Sequence, residues 1–168
     1  MELIRPTAEY KESFIEAVKE LELEGRRDGF NIRGFNENFE DFLDRNIDEE
    51  KGINLPADYV PHSVFWLVDG GVFIGSADVR HTLTEKLLAI GGHIGYSIRP
   101  TERGRGYGTK ILELSLFEAK KLGIEKVLIT CDDDNTASAR VIEKNGGVLE
   151  NKVEHEGKLR RRYWIENK

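Results

Sequence analysis

The sequence is poor in the residues that staple or anchor small proteins. It holds one cysteine, Cys131, in 168 residues. A single thiol excludes an internal disulfide framework and any cysteine-rich zinc site, and it fits a reducing compartment. Long hydrophobic runs are missing too. The longest apolar stretch is near Val64-Phe65-Trp66-Leu67-Val68, far short of the roughly 20 residues that span a bilayer. The start, Met1-Glu2-Leu3-Ile4-Arg5-Pro6, lacks a basic region followed by an apolar one and does not read as a signal peptide. The expected location is therefore the cytoplasm. Excess positive charge is also absent: 25 Lys and Arg stand against 31 Asp and Glu, a net charge of −6. A dedicated nucleic-acid binder is usually basic, so DNA and RNA are disfavoured as main partners. His62, His81 and His155 are isolated and show no metal-ligand spacing, so no metal is expected. Repeats, low-complexity tracts and Pro/Ser-rich linkers are absent. At ~150 residues per domain the length predicts a single domain, residues 1–168.

What is present is a change of hydrophobic period along the chain. Leu3–Arg5 reads as a short strand ended by Pro6, with Thr7 as an N-cap. Phe14, Ala17, Val18 and Leu21 recur at helical spacing until Gly25, and a second helix carries Phe39, Phe42, Leu43 and Ile47. Residues 9–50 hold fourteen carboxylates against six cations, a balance of −8, so this front end is more acidic than the chain as a whole. Residues 51–62 read as loop. The period then shortens to two. Val64–Val68 and Val72–Arg80 form a hairpin around Asp69-Gly70-Gly71, and 88–99 predicts another strand with Ile94, Tyr96 and Ile98 on one face. Residues 107–122 are helical, 127–131 is an apolar strand, and Asp134 or Asn135 caps a helix ending at Asn145-Gly146-Gly147. Final strands are expected over 148–154 and 159–165. The strand–helix–strand order predicts that 94–99 and 127–131 run parallel through a right-handed crossover, with the rest of the sheet mostly antiparallel.

The segment richest in chemistry is Ile98-Arg99-Pro100-Thr101-Glu102-Arg103-Gly104-Arg105-Gly106-Tyr107-Gly108-Thr109, where a strand gives way to a helix. Glycines let the backbone approach a ligand, and free N–H groups at a helix N-terminus form an anion site. Residues 99–110 are net +3 in an acidic protein, which points to a polyphosphate; the alternative is a glycine-rich turn with basic surface residues. Neither the Walker spacing nor the dinucleotide fingerprint is present. Arg103-x-x-Gly106-x-Gly108 resembles the pyrophosphate loop of the GNAT superfamily of N-acetyltransferases, Gln/Arg-x-x-Gly-x-Gly/Ala. Asn135-Thr136-Ala137-Ser138, running on to Lys144-Asn145-Gly146, resembles that family's downstream helix.

The resemblance is closest over 88–147, the expected acetyl-CoA-binding core, with 9–50 as the acceptor-side segment. It implies a mixed α/β (α+β) fold: a mostly antiparallel central sheet of about seven strands, helices on both faces, and a splayed parallel strand pair that binds CoA. It implies acetyl-CoA as cosubstrate, with the amides of Arg103, Gly104, Arg105, Gly106, Tyr107, Gly108 and Thr109 holding its pyrophosphate. The backbone near Ile98 and Arg99 would pair with the pantetheine arm. Asn135 would contact that arm or the thiol end, or else is a plain helix cap. The implied reaction is direct attack of a primary amine on the thioester. His93 falls at the strand position where several family members carry a base; its alternative is a packed strand histidine. The family often places a proton-donating Tyr where this chain has Ile142, so the general acid is not identified: a thiol of pKa ~8.5 leaves as thiolate without a dedicated acid, or water or Tyr163 donates. Cys131 reads as a buried thiol or, less simply, as a nucleophile. Lys158-Leu159-Arg160-Arg161-Arg162 reads as a solvated face or an anion contact. The acidic front end would draw a cationic amine such as a polyamine, an aminoglycoside or a lysine-bearing peptide. The expected partners are acetyl-CoA and an amine acceptor, with no nucleic acid and no membrane, the chain acting as a monomer or homodimer. The competing reading is a catalytically weak CoA-binding regulatory module.

Overall fold

The computed structural model describes residues 1–26, 29–30, 32 and 38–168. The strands are β1 (Glu2–Ile4), β2 (His62–Asp69), β3 (Val72–Arg80), β4 (Ile94–Ile98), β5 (Lys126–Asp132), β6 (Val148–His155) and β7 (Lys158–Glu166). The helices are α1 (Lys11–Leu23), α2 (Phe39–Glu50), α3 (Glu85–Ala89), α4 (Tyr107–Lys121) and α5 (Thr136–Lys144). Thr7 accepts a hydrogen bond from the Glu9 amide and opens a 3-10 turn that leads into α1. Asn135 caps α5 by accepting from the Ser138 amide.

The seven expected strands are present, but as two sheets, ordered β1-β2-β3-β4 and β5-β7-β6. All the strand pairings within them are antiparallel. Between β4 and β5, expected as a splayed pair, the described residues form no ladder, and one isolated antiparallel bridge, Gly92 to Ile129, ties the chain just ahead of β4 to β5. Its cause lies in residues 88–93, which the apolar pattern assigned to the strand. Thr84 accepts from the Leu87 amide and starts α3, so Leu87 and Leu88 become helical. Gly91 and Gly92 then turn the chain with φ of 105° and 66°. A Cβ on Gly92 would overlap the Leu128 carbonyl, so only glycine brings the two backbones this close. The strand proper begins at Ile94.

Each face of the first sheet has its own core. Phe14 of α1 stacks on Trp66 of β2 at 4.5 Å and meets Phe73 of β3 edge-on at 5.1 Å. Phe39 and Phe42 of α2 complete this aromatic cluster. On the other face, Leu112, Leu116 and Ala119 of α4 pack against Val79, Ile94, Val127, Ile129 and Tyr163. With helices on both sides, β2 is buried from His62 to Val68, which is why Val64–Val68 is continuously apolar rather than alternating. Burying one such aromatic or aliphatic side chain is worth about 1.5–3 kcal/mol. The α4-side core takes in Ile94 of β4 with Tyr96 packed against it, while the strand's edge toward β5 stays open.

Candidate active site

The open edge of β4 can be read from hydrogen-bond alternation. Antiparallel pairs alternate between hydrogen-bonded and non-bonded positions. The Arg80 amide bonds to the His93 carbonyl, and the Arg99 amide bonds to the Ile74 carbonyl. Gly95 and Ser97 therefore spend their main-chain groups on β3, while those of Ile94, Tyr96 and Ile98 face the gap toward β5. The gap narrows to a vertex at His93. Its amide donates to the Leu128 carbonyl at 2.7 Å, and the Leu128 amide donates to His93 Nδ1 at 3.0 Å.

That second bond fixes the tautomer of His93. Nδ1 carries the lone pair and spends it on Leu128, which leaves Nε2 with the proton. Burial, followed by the charge of Arg80, pushes the His93 pKa below its ordinary value and keeps the ring neutral. A ring in this state has no free lone pair with which to take a proton from a substrate.

At the other end of the gap, Gly104 and Gly106 take φ of 77° and 86°, and Gly106 is the N-cap of α4 without any side-chain cap bond. The main-chain N–H groups of residues 104–109 have no acceptor among the described residues. Six unspent amides ahead of a fifteen-residue helix form an anion cradle, reinforced by the helix dipole. Gly108 has a further reason to be glycine: its Cβ would come within 3.2 Å of Val141 and press α5 away from α4.

The arginines of this loop are engaged elsewhere. Arg99 donates through Nε to Glu20 at 2.8 Å and reaches Glu16 at 3.3 Å; Arg103 reaches Glu24 at 2.9 Å. Glu16, Glu20 and Glu24 lie four residues apart, on one face of α1 and its C-terminal end. Glu20 also accepts from the Thr101 amide and hydroxyl. Burial alone would raise the Glu20 pKa, but the bonds from Arg99 and Thr101 prevail and hold it below the usual carboxylate range. Arg105 pairs with Glu102. The local excess of positive charge is thus balanced by α1, and the anion-binding capacity of the loop resides in its amides. For the same reason this face of the acidic front end is engaged in binding the loop.

The remaining sequence candidates separate. Asn135 Oδ1 is occupied as the α5 cap. Ile142 is fully buried in the core. Tyr163 is buried too, and its hydroxyl donates to Glu143 at 3.0 Å. Cys131 is buried, and that burial raises its pKa, so it stands as a thiol. Arg160, Arg161 and Arg162 each meet a carboxylate, Asp132, Asp133 and Glu150 respectively. Such a run is a paired face rather than an anion site.

Residues to which the sequence assigned no site role come forward. Tyr96 projects from β4, and its hydroxyl lies 2.9 Å from the Ser138 hydroxyl on α5. Burial pushes the Tyr96 pKa up to about 12, the bond to Ser138 opposing the rise. Ser138 belongs to the Asn-Thr-Ala-Ser motif, so a signal for it existed. Asp78 of β3 lines a cavity of about 490 Å³ beside β4. Its Oδ2 pairs with Arg80 Nη2 at 3.2 Å, whereas Oδ1 is buried without a hydrogen-bond partner among the described residues. His62 and Ser76 line the same cavity. The His62 ring spans the Val60 carbonyl at 3.0 Å and Glu49 at 3.2 Å.

The family model described as "Acetyltransferase (GNAT) domain" matches residues 26–148. Mycothiol acetyltransferase of Geodermatophilus obscurus is 30% identical over 88 residues, 51% of this chain and 29% of that protein. The match thus spans less than a third of that relative's length. Two solved structures share the fold. One is a ribosomal L7/L12 alpha-N-protein acetyltransferase in complex with coenzyme A as a cysteine disulfide, with TM-score 0.68, 18% identity, and 98% and 92% of the two chains covered. The other is the microcin C7 self-immunity acetyltransferase in complex with acetyl-CoA and AMP, with TM-score 0.68, 17% identity, and 98% and 91% covered. With a family model matched over most of its length, the chain belongs to the GNAT family of acetyltransferases.

Proposed function

We propose that this protein transfers the acetyl group of acetyl-CoA to a primary amine by direct attack. The observation that carries this reading is the pairing of six unspent loop amides with the unpaired edge of β4. The amides of 104–109 suit a pyrophosphate. The N–H groups of Tyr96 and Ile98 and the C=O of Tyr96 suit an extended amide-bearing arm, added to β4 like a strand, while the Ile98 carbonyl accepts from Arg103 Nε at 3.2 Å. The cavity at Asp78 then takes the acceptor.

An alkyl ammonium has a pKa of ~10.4, so one proton leaves to solvent before attack. The amine nitrogen then forms its bond to the thioester carbonyl carbon, and a main-chain N–H on the β4 edge stabilises the oxyanion. Collapse breaks the carbon–sulfur bond, the thiolate departs, and the second amine proton is lost as the amide forms. A thiol pKa of ~8.5 lies well below that of Tyr96, at about 12. The phenol therefore keeps its proton and, with Ser138, stabilises the thiolate as a hydrogen-bond donor. No residue at position 142 is needed for this. His93 is a positioning residue that sets the vertex of the gap.

The test is release of free thiol from acetyl-CoA across a panel of amines, alongside a thermal-shift titration with coenzyme A. Amine-dependent thiol release with saturable stabilisation is the expected result. Stabilisation without turnover for any amine would leave a CoA-binding module in place of an enzyme.

A further inference from the structure

Residues 91–93 tie the chain to β5 just before β4 leaves it, and one residue of β3 holds them there. Gly91 and Gly92 turn the chain with positive φ and lie outside the β3–β4 ladder, which starts at Ile94. Arg80 takes up all three carbonyls of this turn. Its amide donates to His93 at 2.7 Å, and its Nη1 donates to Gly92 at 2.9 Å and, more weakly, to Gly91 at 3.4 Å. Nη2 of the same guanidinium pairs with Asp78 Oδ2 at 3.2 Å, which orients the fork. The amides of the turn are met from elsewhere. Gly91 donates to Thr130 Oγ1, Gly92 to the Leu87 carbonyl and His93 to the Leu128 carbonyl. Main-chain groups in a partly buried turn need such partners, and Arg80 supplies the donors. The guanidinium stands over Gly95, where an added Cβ would lie 3.7 Å from Nη2. It also lines the cavity proposed for the acceptor, together with Gly95 and Tyr96. One partly buried cation thus touches both that cavity and the vertex.

We infer that Arg80 is a positioning residue for acetyl transfer: its forked side chain holds the 91–93 turn, so that the Tyr96 and Ile98 edge stays clear of β5 and the thioester meets the acceptor beside it. This inference rests on the acyl-transfer reading above. Arginine suits the task and lysine does not. A planar guanidinium presents five donors in a fixed fork, whereas a single Nζ must choose between Asp78 and the two glycine carbonyls. The coenzyme A phosphates belong, on that reading, to the amides of 104–109 at the other end of the gap. Loss of the Arg80 fork therefore acts on turnover and not on coenzyme A affinity.

The experiment takes the wild type, Arg80→Lys and Arg80→Gln through three readouts. These are kcat with an amine found active in the panel above, coenzyme A affinity by calorimetry, and the titration of His93 by NMR. In both variants kcat is expected to fall about tenfold or more, with coenzyme A affinity within about twofold of the wild type. The Arg80 charge adds to burial in depressing the His93 pKa, so Arg80→Gln should return that pKa toward its ordinary value. Wild-type turnover in Arg80→Lys would show that the charge suffices without the fork, and overturns the inference. A loss of kcat matched by an equal loss of coenzyme A affinity overturns it as well, as does a His93 titration indifferent to Arg80→Gln. One measurement needs no variant and stands even if both fail to fold. In the wild type a clamped guanidinium gives separate Nη–H signals through hindered rotation, and freely averaged signals from Arg80 contradict the clamp. Absence of both coenzyme A binding and turnover in the wild type overturns instead the acyl-transfer reading beneath it.

Discussion

Toward β3, strand β4 is paired from Ile94 to Ile98; toward β5, among the described residues, the chain is held at Gly91, Gly92 and His93, just ahead of the strand. The sequence does not say which of these two edges is laddered, since both neighbours read as strands. The difference comes from where the backbone turns. Gly91 and Gly92 bring β4 against Leu128 at one point, after which no ladder forms between β4 and β5. One edge contributes stability through a full ladder, and the other keeps main-chain donors and acceptors unspent. An open edge is therefore produced by withholding a ladder, and the glycine-rich loop at the strand's C-terminal end extends the same principle to its amides.

The largest expected effect follows from damaging the unspent amides while leaving the ladder intact. Gly106→Val forces a branched residue into φ of 86°, a conformation that costs about 1–3 kcal/mol. Its Cβ would meet nothing within 4 Å, so the fold should persist. Coenzyme A affinity is expected to fall about 100-fold by calorimetry, with a modest drop in Tm. A smaller effect is expected from Tyr96→Phe, which removes the hydroxyl partner of Ser138. One hydrogen bond worth about 1.4 kcal/mol corresponds to a tenfold loss in kcat, with coenzyme A affinity retained.

The smallest effect concerns the vertex. Folding depresses the pKa of His93, and likewise that of His81, in both cases first through burial. As pH falls below the ordinary histidine value of ~6.5, the unfolded chain takes up these protons before the folded one. Stability is therefore full above that pH and declines below it, reaching its floor once pH passes the depressed folded values. His93→Gln should flatten part of this decline in denaturant titrations across pH 7 to 5, because its share of the linkage is gone. The shape of the pH–rate profile for acetyl transfer should stay unchanged. A lost ionisation in that profile would restore His93 as the base.

Much of the open edge was legible in the sequence, and the cavity was not, for physical reasons. Helix α4 and strand β5 have unambiguous periods, and Gly104, Gly106 and Gly108 mark a loop that side chains would obstruct. Residues 88–93 were misread because Leu87, Leu88 and Ile90 are as apolar as a strand, while Thr84 and the glycine pair decide otherwise. Ser76, Asp78 and Arg80 alternate along β3 like a solvated face. They become a cavity wall only because residues 29–30, 58–60 and 86–87 come from afar to enclose them. Pairing of Glu20 with Arg99, 79 residues apart, is likewise a tertiary fact that a charge count cannot reveal.

Amide-resolved NMR of the protein titrated with coenzyme A tests the central claim most directly. The account predicts saturable shifts of the Gly104–Thr109 amides together with those of Tyr96 and Ile98, while Gly95, Ser97 and the β6–β7 hairpin move little. Shifts confined to β6–β7, or none at the loop when coenzyme A is in excess, would contradict it.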